Sequence, residues 1–180
     1  DFNTTAQSEG IVVSDIENLK RNLLLFTQIK DLGIPTILAI NMADRMDRKG
    51  ISLDIPKLEE RLKTKIALVS ARKNMGFEEL KNLIANYKQI SNEACCNTSR
   101  IDPEYFNKLK ETFPNQNTYK LWLVITQDVN FGNLDRNQIK SKTKSFEPKS
   151  QSELKRLQQK EIIARYTFIN DTLKTTLTKD

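Results

Sequence analysis

The decisive stretch is Ile34-Pro35-Thr36-Ile37-Leu38-Ala39-Ile40, an almost unbroken apolar run that passes directly into Asn41-Met42-Ala43-Asp44. Apolar residues in succession, rather than in alternation, predict a strand covered on both faces, as in a parallel sheet. Upstream, Leu19, Leu23, Leu24, Phe26, Thr27 and Ile29 recur at spacings of three and four, which predicts an amphipathic helix. Gly33 ends it, because a residue without Cβ accepts positive φ. Before that helix, Ile11-Val12-Val13-Ser14-Asp15 reads as a short β-branched strand with a polar end, and residues 1–10 as a polar loop. Downstream, Asn41 to Gly50 reads as a polar loop. Asp54 and Pro56 then open a helix with Leu58 and Leu62 on one face. Ile66-Ala67-Leu68-Val69 is a third strand running into Ser70-Ala71-Arg72, and Gly76, Phe77, Leu80, Leu83, Ile84 and Tyr87 mark a third helix.

The order β-α-β-α-β-α predicts an α/β fold with parallel strands joined by crossover helices. Ligands of such sheets sit beyond the carboxyl ends of the strands, which here means around Ser14, Asn41 and Ser70. After Tyr87 the pattern changes. Ser91 to Arg100 is polar and aperiodic, as in a linker, and Pro103 to Glu111 begins a helical segment. Tyr119 to Ile125 fits strand or helix, with its polar continuation favouring helix. Ser150 to Leu177 is the longest periodic stretch and predicts one long helix, with Leu154, Leu157, Tyr166, Ile169 and Leu173 as its apolar stripe. The expected organisation is an α/β part over residues 1–90 and a linker with an all-helical domain over residues 91–180.

Composition narrows the function classes. The 180 residues carry 29 Lys and Arg against 23 Asp and Glu, a formal charge of +6, but the basic residues are dispersed beside glutamates, as in Glu59, Glu60, Arg61 and Lys63. That pattern predicts a solvated surface and no nucleic-acid partner. The only two cysteines, Cys95 and Cys96, are adjacent and there is no histidine, so neither a structural zinc site nor a disulfide framework is expected, and no metal-ligating residue is assigned. No stretch reaches the roughly 20 apolar residues that cross a bilayer. Asp1 is not a natural start and Asp180 follows a helical pattern without a stop, so the stretch reads as part of a longer protein.

Asn41-x-x-Asp44 follows one strand and Ser70-Ala71 the next, so both loops are expected at one sheet edge. Guanine offers an O6 and N7 acceptor edge and an N1–H, N2–H₂ donor edge. A fixed carboxylate at Asp44 accepts the two donors together, which adenine does not supply in that arrangement. Asn41 suits the N7 side and can brace neighbouring loops, and the Ala71 backbone N–H can donate to O6. Taken alone, Asn41 and Asp44 also fit a polar turn closed by Asx-type hydrogen bonds. The flanking strands and the Ser-Ala of the next loop favour guanine.

These residues resemble the fourth and fifth motifs of the translation-factor-related GTPases, and their surroundings resemble the cytosolic G domain of the ferrous-iron transport protein B family. That resemblance is carried by Val13-Ser14-Asp15, Asn18-Leu19-Lys20-Arg21-Asn22-Leu23, Leu32-Gly33-Ile34-Pro35 and Asn41-Met42-Ala43-Asp44. It continues through Lys49-Gly50-Ile51, Ser70-Ala71-Arg72 and Gly76-Phe77-Glu78-Glu79-Leu80. Gln159-Lys160 and Ala164-Arg165-Tyr166-x-Phe168-Ile169 are similar to the last helix of the family's helical domain. The resemblance implies a P-loop-GTPase-like parallel sheet followed by an all-helical domain. GTP or GDP is the implied ligand, contacted by Asn41, Met42, Asp44, Ser70 and Ala71, with Met42 covering the guanine face where most GTPases place lysine.

No Gly-x-x-x-x-Gly-Lys-[Ser/Thr] string occurs in the chain, and its one Asp-x-x-Gly, Asp47 to Gly50, falls after the base-reading Asn rather than before it. The phosphate-binding part is therefore expected upstream, with Mg²⁺ held there, no catalytic residue is assigned, and this stretch alone is expected to be inactive while the full-length protein hydrolyses GTP. The resemblance further implies the cytoplasmic side of a bacterial inner membrane, partnership with the protein's own carboxyl-terminal transmembrane part, and coupling of nucleotide state to iron uptake. It leaves a homo-oligomer open. Two other readings are another small GTPase domain with a helical tail, and a non-enzymatic helical interaction module.

Overall fold

The structure, a computed structural model, describes residues 9–42, 46–132, 134–142 and 147–179. In chain order its elements are β1 (Gly10–Asp15), α1 (Leu19–Asp31), β2 (Thr36–Asn41), β3 (Ile51–Leu53), α2 (Ile55–Leu62), β4 (Ile66–Val69), α3 (Phe77–Ala85), α4 (Pro103–Thr112), α5 (Thr118–Gln127), α6 (Arg136–Lys140), α7 (Gln151–Thr176) and β5 (Leu177–Lys179). Among the described residues they form two compact units, one over residues 97–164 and a second made of residues 9–96 together with 165–179.

The second unit is the α/β part. Strands β1, β2 and β4 lie in that order in one parallel sheet, with Asp15 opposite Asn41 and Asn41 opposite Val69. Strand β2 is central, and Thr36, Ile37, Leu38, Ala39 and Ile40 are all buried, which explains their continuous apolar run. On β1, Val12 and Ser14 are buried while Ile11 and Val13 are exposed, so one face of this strand is covered and the other open. The core joins Leu19, Leu23 and Phe26 of α1, Leu38 and Ile40 of β2, Leu58 and Leu62 of α2, and Ile169 of α7.

Local chemistry sets the element ends. Helix α1 stops before Gly33, whose φ is 83°. Asp54 caps α2 by accepting from the Lys57 N–H at 3.1 Å, with Pro56 in the first turn. The expected polar loop after Asn41 includes a 3-10 turn over Asp47–Lys49 and leads into β3, which pairs antiparallel with β5. That small second sheet was absent from the sequence expectation, since three residues carry no readable period.

The other unit is helical. Phe106 of α4 and Trp122 of α5 meet with ring centroids 5.6 Å apart, and Leu109, Leu121, Val124, Ile139, Leu154 and Leu157 are buried with them. Asp102, Asn117 and Asp135 each accept a backbone N–H at the start of α4, α5 and α6. The ambiguous Tyr119 to Ile125 run is helix, ended at Asp128 in the left-handed conformation with φ 54°. No described helix is long and apolar enough to cross a membrane.

The stripe on α7 differs from expectation. Leu154, Leu157 and Ile169 are buried, but Tyr166 and Leu173 are only half-buried, and the most deeply placed face also carries Glu161, Arg165, Thr172 and Thr176. A helical periodicity drawn through apolar residues alone misses a face whose centre is polar, with Arg165 paired to Asp31.

Candidate functional site

Three loops leave the sheet at the carboxyl ends of its strands. Asn41 closes β2, and the parallel register sets it between the last residue of β1 and the end of β4. Its side-chain amide spans both neighbours: Nδ2 donates to Asp15 Oδ1 at 3.0 Å, and Oδ1 accepts the Ala71 backbone N–H at 3.2 Å. Sequence reading paired Ala71 with guanine O6; in the structure its exposed N–H points to Asn41.

Met42 follows with φ 70°, a left-handed conformation uncommon for a side chain of its size. Asp44 lies outside the described residues, so the structure brings together Asn41, Ser70 and Ala71, places Met42 beside them in sequence, and says nothing of the carboxylate.

Ser70 and Met75 exchange both backbone hydrogen bonds, at 2.9 and 3.1 Å, closing a loop over residues 71–74. Ser70 is buried, and its Oγ accepts the Lys73 N–H at 3.2 Å. The Ser side chain therefore shapes the loop that presents Ala71. Gly76 completes it with φ 83°, and a Cβ there would lie 2.0 Å from the Leu68 carbonyl oxygen. Only glycine fits both the angle and the gap.

Asp15 was missed as a site residue by the sequence reading, although Ser14 beside it was singled out. Ser14 is buried, its hydroxyl donates to the Asp15 carbonyl at 2.9 Å, and it accepts from Asn22 Nδ2 at 3.0 Å. The available signal was the parallel register itself, which sets the last residues of β1 and β2 side by side. Among the described residues no group of three or more His, Cys, Asp or Glu is arranged to hold a metal ion.

This sheet, with its loops gathered at one edge, has the P-loop GTPase type of α/β fold. Residues 3–84 match the family model described as Ferrous iron transport protein B. The Fe(2+) transporter FeoB of Leptospira biflexa is 32% identical over 183 residues, covering 93% of this chain and 26% of that protein. The Escherichia coli K12 transporter FeoB is 39% identical over 82 residues, 46% of this chain and 11% of its own length. The chain thus spans about a quarter or less of the curated relatives it matches. Among solved structures, the cytosolic domain of the T. maritima FeoB iron transporter in apo form superposes with a TM-score of 0.76 at 18% identity, over 93% of this chain and 67% of that one. The cytosolic domain of L. pneumophila FeoB gives 0.62 at 23% identity, over 94% and 65%.

Proposed function

We propose that this chain is the base-recognising part of a guanine-nucleotide-binding domain, joined to a helical unit, within a transporter of ferrous iron. The observation that carries the reading is the Asn41 amide, held from both sides at the carboxyl end of the central strand by Asp15 and Ala71. A ligand-reading amide must be fixed before the ligand arrives, because ordering it afterwards costs binding energy. The match of residues 3–84 to the iron-transporter family supports the same reading, as does the resemblance of the fold to the T. maritima FeoB cytosolic domain in its GDP and GMPPNP forms.

In this proposal Asn41 takes the N7 side of guanine, Asp44 accepts from N1–H and N2–H₂, Met42 covers one face of the base, and the loop from Ser70 presents Ala71. The phosphates belong to a further part of the sheet. Support comes from β1, an edge strand whose outer side pairs with no described strand. In this proposal Mg²⁺ is held with the phosphates by that part. GTP hydrolysis is then a property of the longer protein on the cytoplasmic face of its membrane, and the helical unit couples nucleotide state to its transmembrane part.

The test is nucleotide selectivity in the full-length protein. Asp44→Ala should weaken GDP binding by about 1.5–3 kcal/mol for each hydrogen bond to the lost charge. Asp44→Asn should shift preference from GDP toward XDP, whose altered edge suits an amide. Affinities for both nucleotides that neither substitution changes would refute the base-reading role.

A further inference from the structure

The Asn41 amide has two chemically different ends, and purine N7 is an acceptor that only the nitrogen end can satisfy. Rotating the amide by half a turn would set its oxygen against N7 and destroy the contact. The two groups flanking it decide the orientation. The Asp15 carboxylate has no proton to give when ionised and so demands Nδ2, at 3.0 Å; the Ala71 N–H has no lone pair to offer and so demands Oδ1, at 3.2 Å. The reversed amide would face two mismatches. One Nδ2 proton is used by Asp15, and the other has no partner among the described residues.

Asp15 does not do the ordinary work of its position. It stands at the cap of the 3-10 turn Ile16–Asn18, yet its side chain makes no capping hydrogen bond there. It reaches across to β2 instead, from a backbone steadied by the Asn22 to Ser14 to Asp15 hydrogen bonds. We propose that Asp15 is a positioning residue for base recognition, fixing the Asn41 amide so that its free N–H meets purine N7. This deepens the proposed function and rests on its assignment of Asn41 to the N7 side.

The experiment compares GDP with 7-deaza-GDP, which lacks only the N7 acceptor, in the full-length protein and its Asp15→Ala and Asp15→Asn variants. The wild-type protein should prefer GDP by about 3- to 10-fold, as expected for one neutral hydrogen bond. In Asp15→Ala that ratio should fall close to one, and in Asp15→Asn, which keeps an acceptor but can also donate, to an intermediate value. Should Asp15→Ala fail to fold, Asp15→Asn alone must still show the reduced ratio. Equal weakening of both nucleotides, with the wild-type ratio kept, would mean that Asp15 only supports the loop, and the proposal falls while base reading by Asn41 stands. A wild-type ratio near one overturns the N7 assignment and the Asp15 role with it.

Discussion

Arg165 donates through Nη1 to Asp31 Oδ2 at 2.8 Å, and both side chains are fully buried. The same carboxylate accepts the backbone N–H groups of Cys95 and Cys96, and the neighbouring Lys30, also buried, donates through Nζ to the carbonyls of Ser91 and Glu93. The end of α1 therefore anchors both α7 and the polar run after Ile90. Burial pushes the Asp31 carboxyl up, and Arg165 with the two N–H groups opposes it. Burial likewise lowers the Lys30 ammonium.

Removing one partner of such a pair leaves an uncompensated charge. Arg165→Met should destabilise the α/β unit by about 3–5 kcal/mol in urea unfolding. The double variant Arg165→Met with Asp31→Leu should recover part of that loss. A single variant as stable as the parent would show that the pair contributes nothing.

Cys95 donates its thiol to the Leu62 carbonyl at 3.3 Å, and burial, with the nearby Asp31 and Cys96 charges, pushes its pKa up to about 12. At pH 8 its alkylation in the native chain should be roughly a thousandfold slower than in urea, since the thiolate is the nucleophile and a free thiol titrates near 8.5. Peptide mass spectrometry after timed iodoacetamide treatment reads this directly.

The same shift has a pH consequence. The folded thiol keeps its proton above the pH at which the unfolded thiol loses it, so its stabilising contribution is complete below about 9 and declines toward 12. Between pH 7 and 10 the parent should lose about 1–2 kcal/mol that Cys95→Ala retains. Parallel stability curves for the two proteins would contradict it.

Gly76→Ala should cost at least about 2 kcal/mol, from a left-handed φ of 83° and a Cβ driven into the Leu68 carbonyl. Because Gly76 closes the loop that presents Ala71, backbone amide signals of Ser70 and Ala71 should move more than those of α1. A thermal midpoint and spectrum like the parent's would be the contrary result.

In the helical unit, Phe106→Ala removes the ring beside Trp122, the only tryptophan in the chain. The expected loss is about 3–5 kcal/mol, followed by Trp122 fluorescence during denaturation. An unchanged denaturation midpoint would mean that this contact is peripheral.

The three parallel strands, the crossover helices and the caps at Asp54 and Gly33 were legible in the sequence, because burial on both faces, helical period and turn chemistry are each written within a few neighbouring residues. The loops of Asn41 and Ser70-Ala71 could be assigned to one edge for the same reason, since parallel strands must end on the same side. What tertiary structure alone decided are the pairings between residues far apart in the chain. Asp15 meets Asn41 only through the register of two strands, β3 pairs with β5 from the opposite end of the chain, and Arg165 belongs to the buried face of α7 only because Asp31 waits there. A charged residue reads as solvated in any local window, and its partner 134 positions away is what makes burial affordable.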